Sequence, residues 1–143
     1  MSDMRNIALV GEEPVYVHFK ATLRISGDAV DIDGITRRLG LEPTHTHRSG
    51  ERRPSEAEPY THDMWSYTAP VAETEPPEQH VMALWNAVRP NIDYLRDLKR
   101  HCKVDVFCGY RSNSDTAGFE VGHRCLGLFE ELAIPFGVSI IIA

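Results

Sequence analysis

Cysteine is scarce: Cys102, Cys108 and Cys125 make an odd set of three in 143 residues, with no Cys-x-x-Cys pair. That excludes a disulfide framework and points to a reducing compartment, so a cytoplasmic location is the expectation. Long apolar runs are also missing. None approaches the roughly 20 residues needed to cross a bilayer, so no membrane span is expected. The opening MSDMRNIALVGEEP lacks the basic start and apolar core of a secretory signal. Positive charge is in deficit, with 15 Lys+Arg against 21 Asp+Glu and a net charge of -6. Such a molecule repels a phosphate backbone unless its charges are segregated, which disfavours nucleic acid as a partner. No Walker loop, dinucleotide fingerprint, H-E-x-x-H helix or G-x-S-x-G elbow occurs, so none of the familiar catalytic signatures is available. No catalytic residue and no cofactor is expected.

What is present suffices for a folded core. Hydrophobic residues make up 42% of the chain, and the length fits one domain over 1–143, with residues 1–13 as a loose N-terminus. The stretch PEQHVMALWNAVRPNIDYLRDLKR carries Val81, Leu84, Trp85, Val88, Ile92 and Leu95 on one helical stripe that keeps its phase across Pro90. Proline removes a backbone donor, so a kink or a stop and restart is predicted near Arg89.

Strand periodicity is clearest in VYVHFKATLRISG, where Val15, Val17, Phe19, Ala21, Leu23 and Ile25 alternate with Tyr16, His18, Lys20, Thr22 and Arg24. A short helix follows, with Ile32, Ile35 and Leu39 in step, Asp31 or Asp33 as its cap and Gly40 at its end. Residues 42–60 are polar, aperiodic and rich in Pro, Gly and charge, which predicts a long surface loop. From Trp65 onward the patterning predicts a strand in HDMWSYTA, the long helix, a strand over 101–110, a hairpin strand in GFEVG, a helix in HRCLGLFEELA and a closing strand in IPFGVSIIIA. That order is the βαββαβ of a ferredoxin-like two-layer α+β fold, preceded by an extra strand and short helix. In the closing strand neither face is polar, so the sheet side opposite the helices is expected to meet the long loop or a second copy of the chain.

The loop holds the chemistry-bearing side chains. His45 and His47, one residue apart, and then His62 are candidate metal ligands, but no acidic or cysteine ligand stands at a recognised spacing. Thr44, Arg48 and Arg52 beside Trp65 form a candidate ligand site, because guanidinium forks suit carboxylates and phosphates. Interleaved Glu42, Glu51, Glu56 and Glu58 favour a mixed-charge solvated loop instead. Tyr16, His18, Lys20 and Arg24, with Lys103 and Phe107, put aromatic and basic groups on one sheet face, a weak echo of RNA-binding surfaces. Cys108 and Cys125 lie on apolar stripes, as inert core thiols do.

Ile35, Thr36, Leu39, Gly40, Leu41, Pro43 and Thr44, then Gly50 and Trp65, carry a resemblance to a bacterial family catalogued as domain of unknown function DUF4279. The likeness continues more loosely to IPFGVSI. It implies a compact cytosolic α+β protein, with Gly40, Pro43 and Gly50 punctuating the loop and Trp65 as its floor. The expected role is a non-catalytic binding or protein-interaction module, immunity-like in character, whose partner is another protein or a second copy meeting the sheet face or an edge strand. The alternative is a small-molecule or anion-binding domain, or an enzyme of unrecognised kind, with a pocket under the 42–60 loop. A metal site at the loop histidines ranks third.

Overall fold

The structure is a computed structural model that describes residues 14–54 and 58–143. The N-terminal segment read above as loose lies outside the described residues. Five strands, β1 (Val17–Gly27), β2 (His45–His47), β3 (Asp63–Thr68), β4 (Lys103–Ser112) and β5 (Ser139–Ile142), form one mixed sheet in the order β2-β3-β1-β4-β5. All neighbours are antiparallel except β4 and β5, which run parallel. The helices are α1 (Ile32–Leu39), α2 (Pro77–Val88), α3 (Ile92–Leu98) and α4 (Gly127–Leu132). They cover one face of the sheet.

Alternation in β1 decides that face. Phe19, Ala21, Leu23 and Ile25 are buried, and opposite them on β4 stand Tyr110, Cys108, Val106 and Val104, also buried. The larger of these, such as Phe19, Leu23 and Ile25, contribute roughly 1.5–3 kcal/mol each when fully buried. Val81, Leu84 and Val88 of α2, Leu95 of α3, and Leu128 and Leu132 of α4 close over this row. The helical stripe breaks where Pro90 requires it: α2 ends at Val88, a 3-10 turn occupies Arg89–Asn91, and α3 resumes at Ile92. Asp31 caps α1, its carboxylate accepting the Gly34 N–H at 3.1 Å. Gly40 ends that helix with φ 67°, a left-handed conformation that glycine adopts without strain.

Two expectations are corrected. The first strand is no addition to a ferredoxin-like βαββαβ unit. It is the centre of the sheet, hydrogen-bonded to β3 on one side and β4 on the other. Its fully apolar inner face makes any edge position unfavourable. Residues 118–122 form no strand, because the position beside β4 is taken by β5. Phe119 instead reaches the helix side, 5.7 Å from the Phe19 ring and 5.3 Å from that of Tyr110. The long loop contributes the short strand β2, which the polar composition of 42–60 had hidden. Among the described residues no helix is long and apolar enough to cross a membrane.

Candidate functional site

Opposite the helices the sheet is open over β1 and β4 among the described residues, whereas at the β2–β3 corner the loop covers it, with Tyr60 stacked on a buried His47. Its open face carries His18, Lys20, Thr22 and Arg24 from β1, Met64, Ser66 and Thr68 from β3, and Lys103, Asp105, Phe107 and Arg111 from β4. The fixed charges are unequal. Lys20, Arg24, Lys103 and Arg111 face only Asp105 and Glu73: Arg24 grips Asp105 through two bonds of 2.9 and 3.0 Å, and Lys20 stands 3.5 Å from Glu73. An acidic chain thus presents a locally basic sheet face. Gly109 leaves a dimple of about 270 Å³ there, between Phe107, Arg111 and Ile141. A Cβ at Gly109 would stand 3.2 Å from the Phe107 ring.

Among the described residues the sheet ends in β5, whose outer side has no neighbouring strand. Register places Ser139 and Ile141 on the open face beside Gly109 and Arg111, with Ile140 and Ile142 on the helix side beside Tyr110 and Ser112. Ile140, Ile141 and Ile142 are nevertheless 59, 50 and 49% exposed. The helix layer stops short of this edge.

At the opposite corner the long loop is clamped onto the sheet. Asp63, only 6% exposed, accepts the Ser49 N–H at 2.8 Å, the Val30 N–H at 3.1 Å and the Arg48 guanidinium at 3.3 Å. These donors, the Ser49 and Val30 amides foremost, hold the Asp63 carboxyl below its ordinary pKa. Tyr60 makes two backbone bonds across the loop, accepting the Gly50 N–H and donating its own N–H to the Glu51 carbonyl, both 2.9 Å. The Tyr60 ring then lies against His47, with centroids 3.4 Å apart and planes within 8°. His47 shares one hydrogen bond of 2.9 Å with His45, one ring donating and the other accepting. Burial, followed by the neighbouring His45, pushes the His47 pKa down.

The residues singled out in the sequence separate into different roles. Thr44 accepts the Thr68 N–H through its hydroxyl at 2.8 Å. Arg48 is committed to Asp63 and to the Val30 carbonyl, which it reaches at 2.9 Å. Arg52 is exposed on the loop. Trp65 points the other way, fully buried among the helices, its indole N–H donating to Thr36 Oγ1 at 3.0 Å. His45 and His47 pair with each other, whereas His62 bonds to the Thr61 hydroxyl at 3.0 Å and stands 3.8 Å from Asp28. Among the described residues no three His, Cys, Asp or Glu side chains converge as metal ligands.

Sequence reasoning missed Tyr60 and His101. Both line a cleft with His47 and His62, but no local spacing signals it, since residues 101–103 arrive from the far end of α3. Cys108 is buried and its thiol is pushed up to about 11 by desolvation, so it is no nucleophile.

No curated protein and no solved structure matches the chain. Residues 17–143, from the first residue of β1 to the end of the sequence, match the family described as domain of unknown function (DUF4279), and the chain therefore belongs to that family.

Proposed function

We propose that this protein is a non-catalytic interaction module that pairs with a second copy of itself through β5. The observation that carries this reading is the run Ile140–Ile142, three consecutive half-exposed isoleucines on the strand that forms the sheet edge among the described residues. Edge strands are normally blunted by charge, proline, bulges or a covering element, because their free N–H and C=O groups template pairing. Residues 139–143 contain no charge and no proline.

Charge selects the geometry. Stacking two open faces would oppose Lys20, Arg24, Lys103 and Arg111 of one copy to the same groups of the other, against only two carboxylates each. Like charges so placed repel. Pairing β5 with β5 about a twofold axis avoids that repulsion and lets each edge satisfy the other's backbone. A pairing of four-residue strands is small beside the roughly 1,600 Å² of a standard interface, so a dissociation constant in the micromolar range is expected.

Light scattering over about 10 to 300 µM should show a rise from monomer to dimer mass, by mass action. Ile141→Lys puts a charge on an exposed side chain at mid-strand. It should hold the protein monomeric, with a melting temperature equal to that of the dilute, monomeric wild type. Wild-type protein that stays monomeric across the range overturns the reading, as does an Ile141→Lys dimer of undiminished affinity.

A further inference from the structure

The corner cleft beneath the clamped loop is a separate site. It is an open cleft of about 620 Å³ at the end of the sheet, within the span of small-molecule sites, roughly 300–1,000 Å³. One wall is the loop, with Arg53, Tyr60 and His62. The floor holds His47 and Met64. The far wall is the start of β4, with His101 and Lys103.

Three features make this more than a surface groove. The part of its loop wall that carries Tyr60 and His62 is held, because Asp63 and the backbone bonds of Gly50 and Glu51 with Tyr60 keep residues 48–51 and 60–63 against the sheet. Its aromatic lining is already ordered, with His47 flat on Tyr60 and the Arg53 guanidinium 5.4 Å from the Tyr60 centroid. Its described lining holds more hydrogen-bond donors than carboxylates. Arg53 and Lys103 bring fixed positive charge, and His47, His62 and His101 bring imidazoles that donate N–H bonds. Among the described residues two carboxylates stand near these donors, Asp28, 96% exposed and 3.8 Å from His62 Nε2, and Asp105, 3.8 Å from the Lys103 ammonium, the first reaching in from the solvent side and the second from the sheet face. A cation has no converging ligands among the described residues, whereas an anion finds donors on both walls.

We infer that this cleft binds a small organic anion, a phosphate ester or a polycarboxylate of metabolite size, between the imidazoles of His62 and His101 and the Lys103 ammonium. The Tyr60–His47 stack forms the apolar side on which the organic part rests. Phosphate and carboxylate share the chemistry these donors recognise, and the ligands tested tell them apart. The site is remote from β5 in the sheet order, so its occupancy and the pairing of copies are independent properties.

Thermal denaturation with AMP, citrate or inorganic phosphate at about 5 mM, each against sodium chloride of equal ionic strength, tests this directly. An organic anion should raise the midpoint by about 2–5 °C, the scale expected when ligand exceeds its dissociation constant severalfold. AMP above citrate identifies a phosphate ester, and citrate above AMP a polycarboxylate. The double variant His101→Ala, Lys103→Ala removes two exposed side chains and should weaken binding at least tenfold in titration calorimetry. Arg111→Ala, on the open face beside β5, should leave it unchanged. Absence of any shift beyond the salt control overturns the inference, as does an effect of inorganic phosphate equal to that of both organic ligands. A shift that survives in the double variant, or is lost equally in Arg111→Ala, also overturns it.

Discussion

The Asp63 carboxylate accepts the Ser49 backbone N–H at 2.8 Å, and through this bond a buried strand residue holds the start of a loop whose aromatic anchor, Tyr60, lies at its far end. The same carboxylate takes the Val30 N–H, so one side chain ties the turn before α1 and the start of the loop to β3. Asp63→Ala leaves both amides without an acceptor. Hydrogen exchange at Ser49 and Val30 should accelerate by roughly tenfold or more, while amides in the middle of β1 stay protected.

Acid should act on the same clamp. The folded-state pKa of Asp63 lies below its ordinary value, so the unfolded chain takes up the proton first. The clamp's contribution is complete above about pH 4, the ordinary carboxylate value, and is lost as pH falls through the depressed folded value. A pH series of melting temperatures should show this loss in the native protein, and Asp63→Asn should show a shallower fall.

His80 works in a higher window with the same sign. It is buried in α2, edge-on to Phe19 at 5.4 Å, and burial pushes its pKa down despite the bond between its Nε2 and the Glu75 carbonyl. Protonation therefore favours the unfolded chain. Stability should be flat above about pH 6.5, the ordinary imidazole value, and should decline below it towards the depressed folded value. Urea titrations of His80→Leu should show a shallower decline, the remainder belonging to His47, whose pKa is also pushed down.

Gly127 opens α4 against α2 so closely that a Cβ would stand 2.7 Å from the Trp85 indole nitrogen. The neighbour is a ring in a packed layer, not the end of a flexible chain. Gly127→Val should destabilise the protein by about 1–3 kcal/mol through overpacking, read as a lower urea midpoint with an unchanged slope. Trp85 fluorescence should report the displacement.

Cys108 should resist thiol reagents in the native protein, because desolvation pushes its pKa up to about 11 and its side chain is 1% exposed. Its labelling should track global unfolding, with half-exposed Cys102 reacting first. Fast labelling of Cys108 in native protein would contradict the inner position assigned to that face of β4.

Local signals carried much of the fold. The alternation of β1, the Asp31 cap, Gly40 and the break at Pro90 are each decided within a few residues, and the structure places all four as the patterning predicts. Strand order is not local. Phe119 reads as a strand residue by composition, yet β5 holds the place beside β4, and only tertiary packing decides between them. The site was harder still. Arg48 and Thr44 looked like free ligand-binding groups, but their partners, Asp63 and Thr68, lie 15 and 24 residues away. His62 belongs to the corner cleft, but its counterparts His101 and Lys103 arrive from another element. Spacing in one segment cannot show such a meeting.

The central place of β1 also sets the order of assembly. Its partners in β4 run from Ser26 with Lys103 to Val17 with Ser112, so its apolar row finds no lasting cover until most of the chain exists. Closing so long a span before the pairing is gained slows the search, and refolding on the millisecond-to-second scale of non-local sheets is the consequence. During synthesis, Phe19, Leu23 and Ile25 remain open to wrong contacts until α2 and β4 emerge, and that interval is when a chaperone would matter most to this chain.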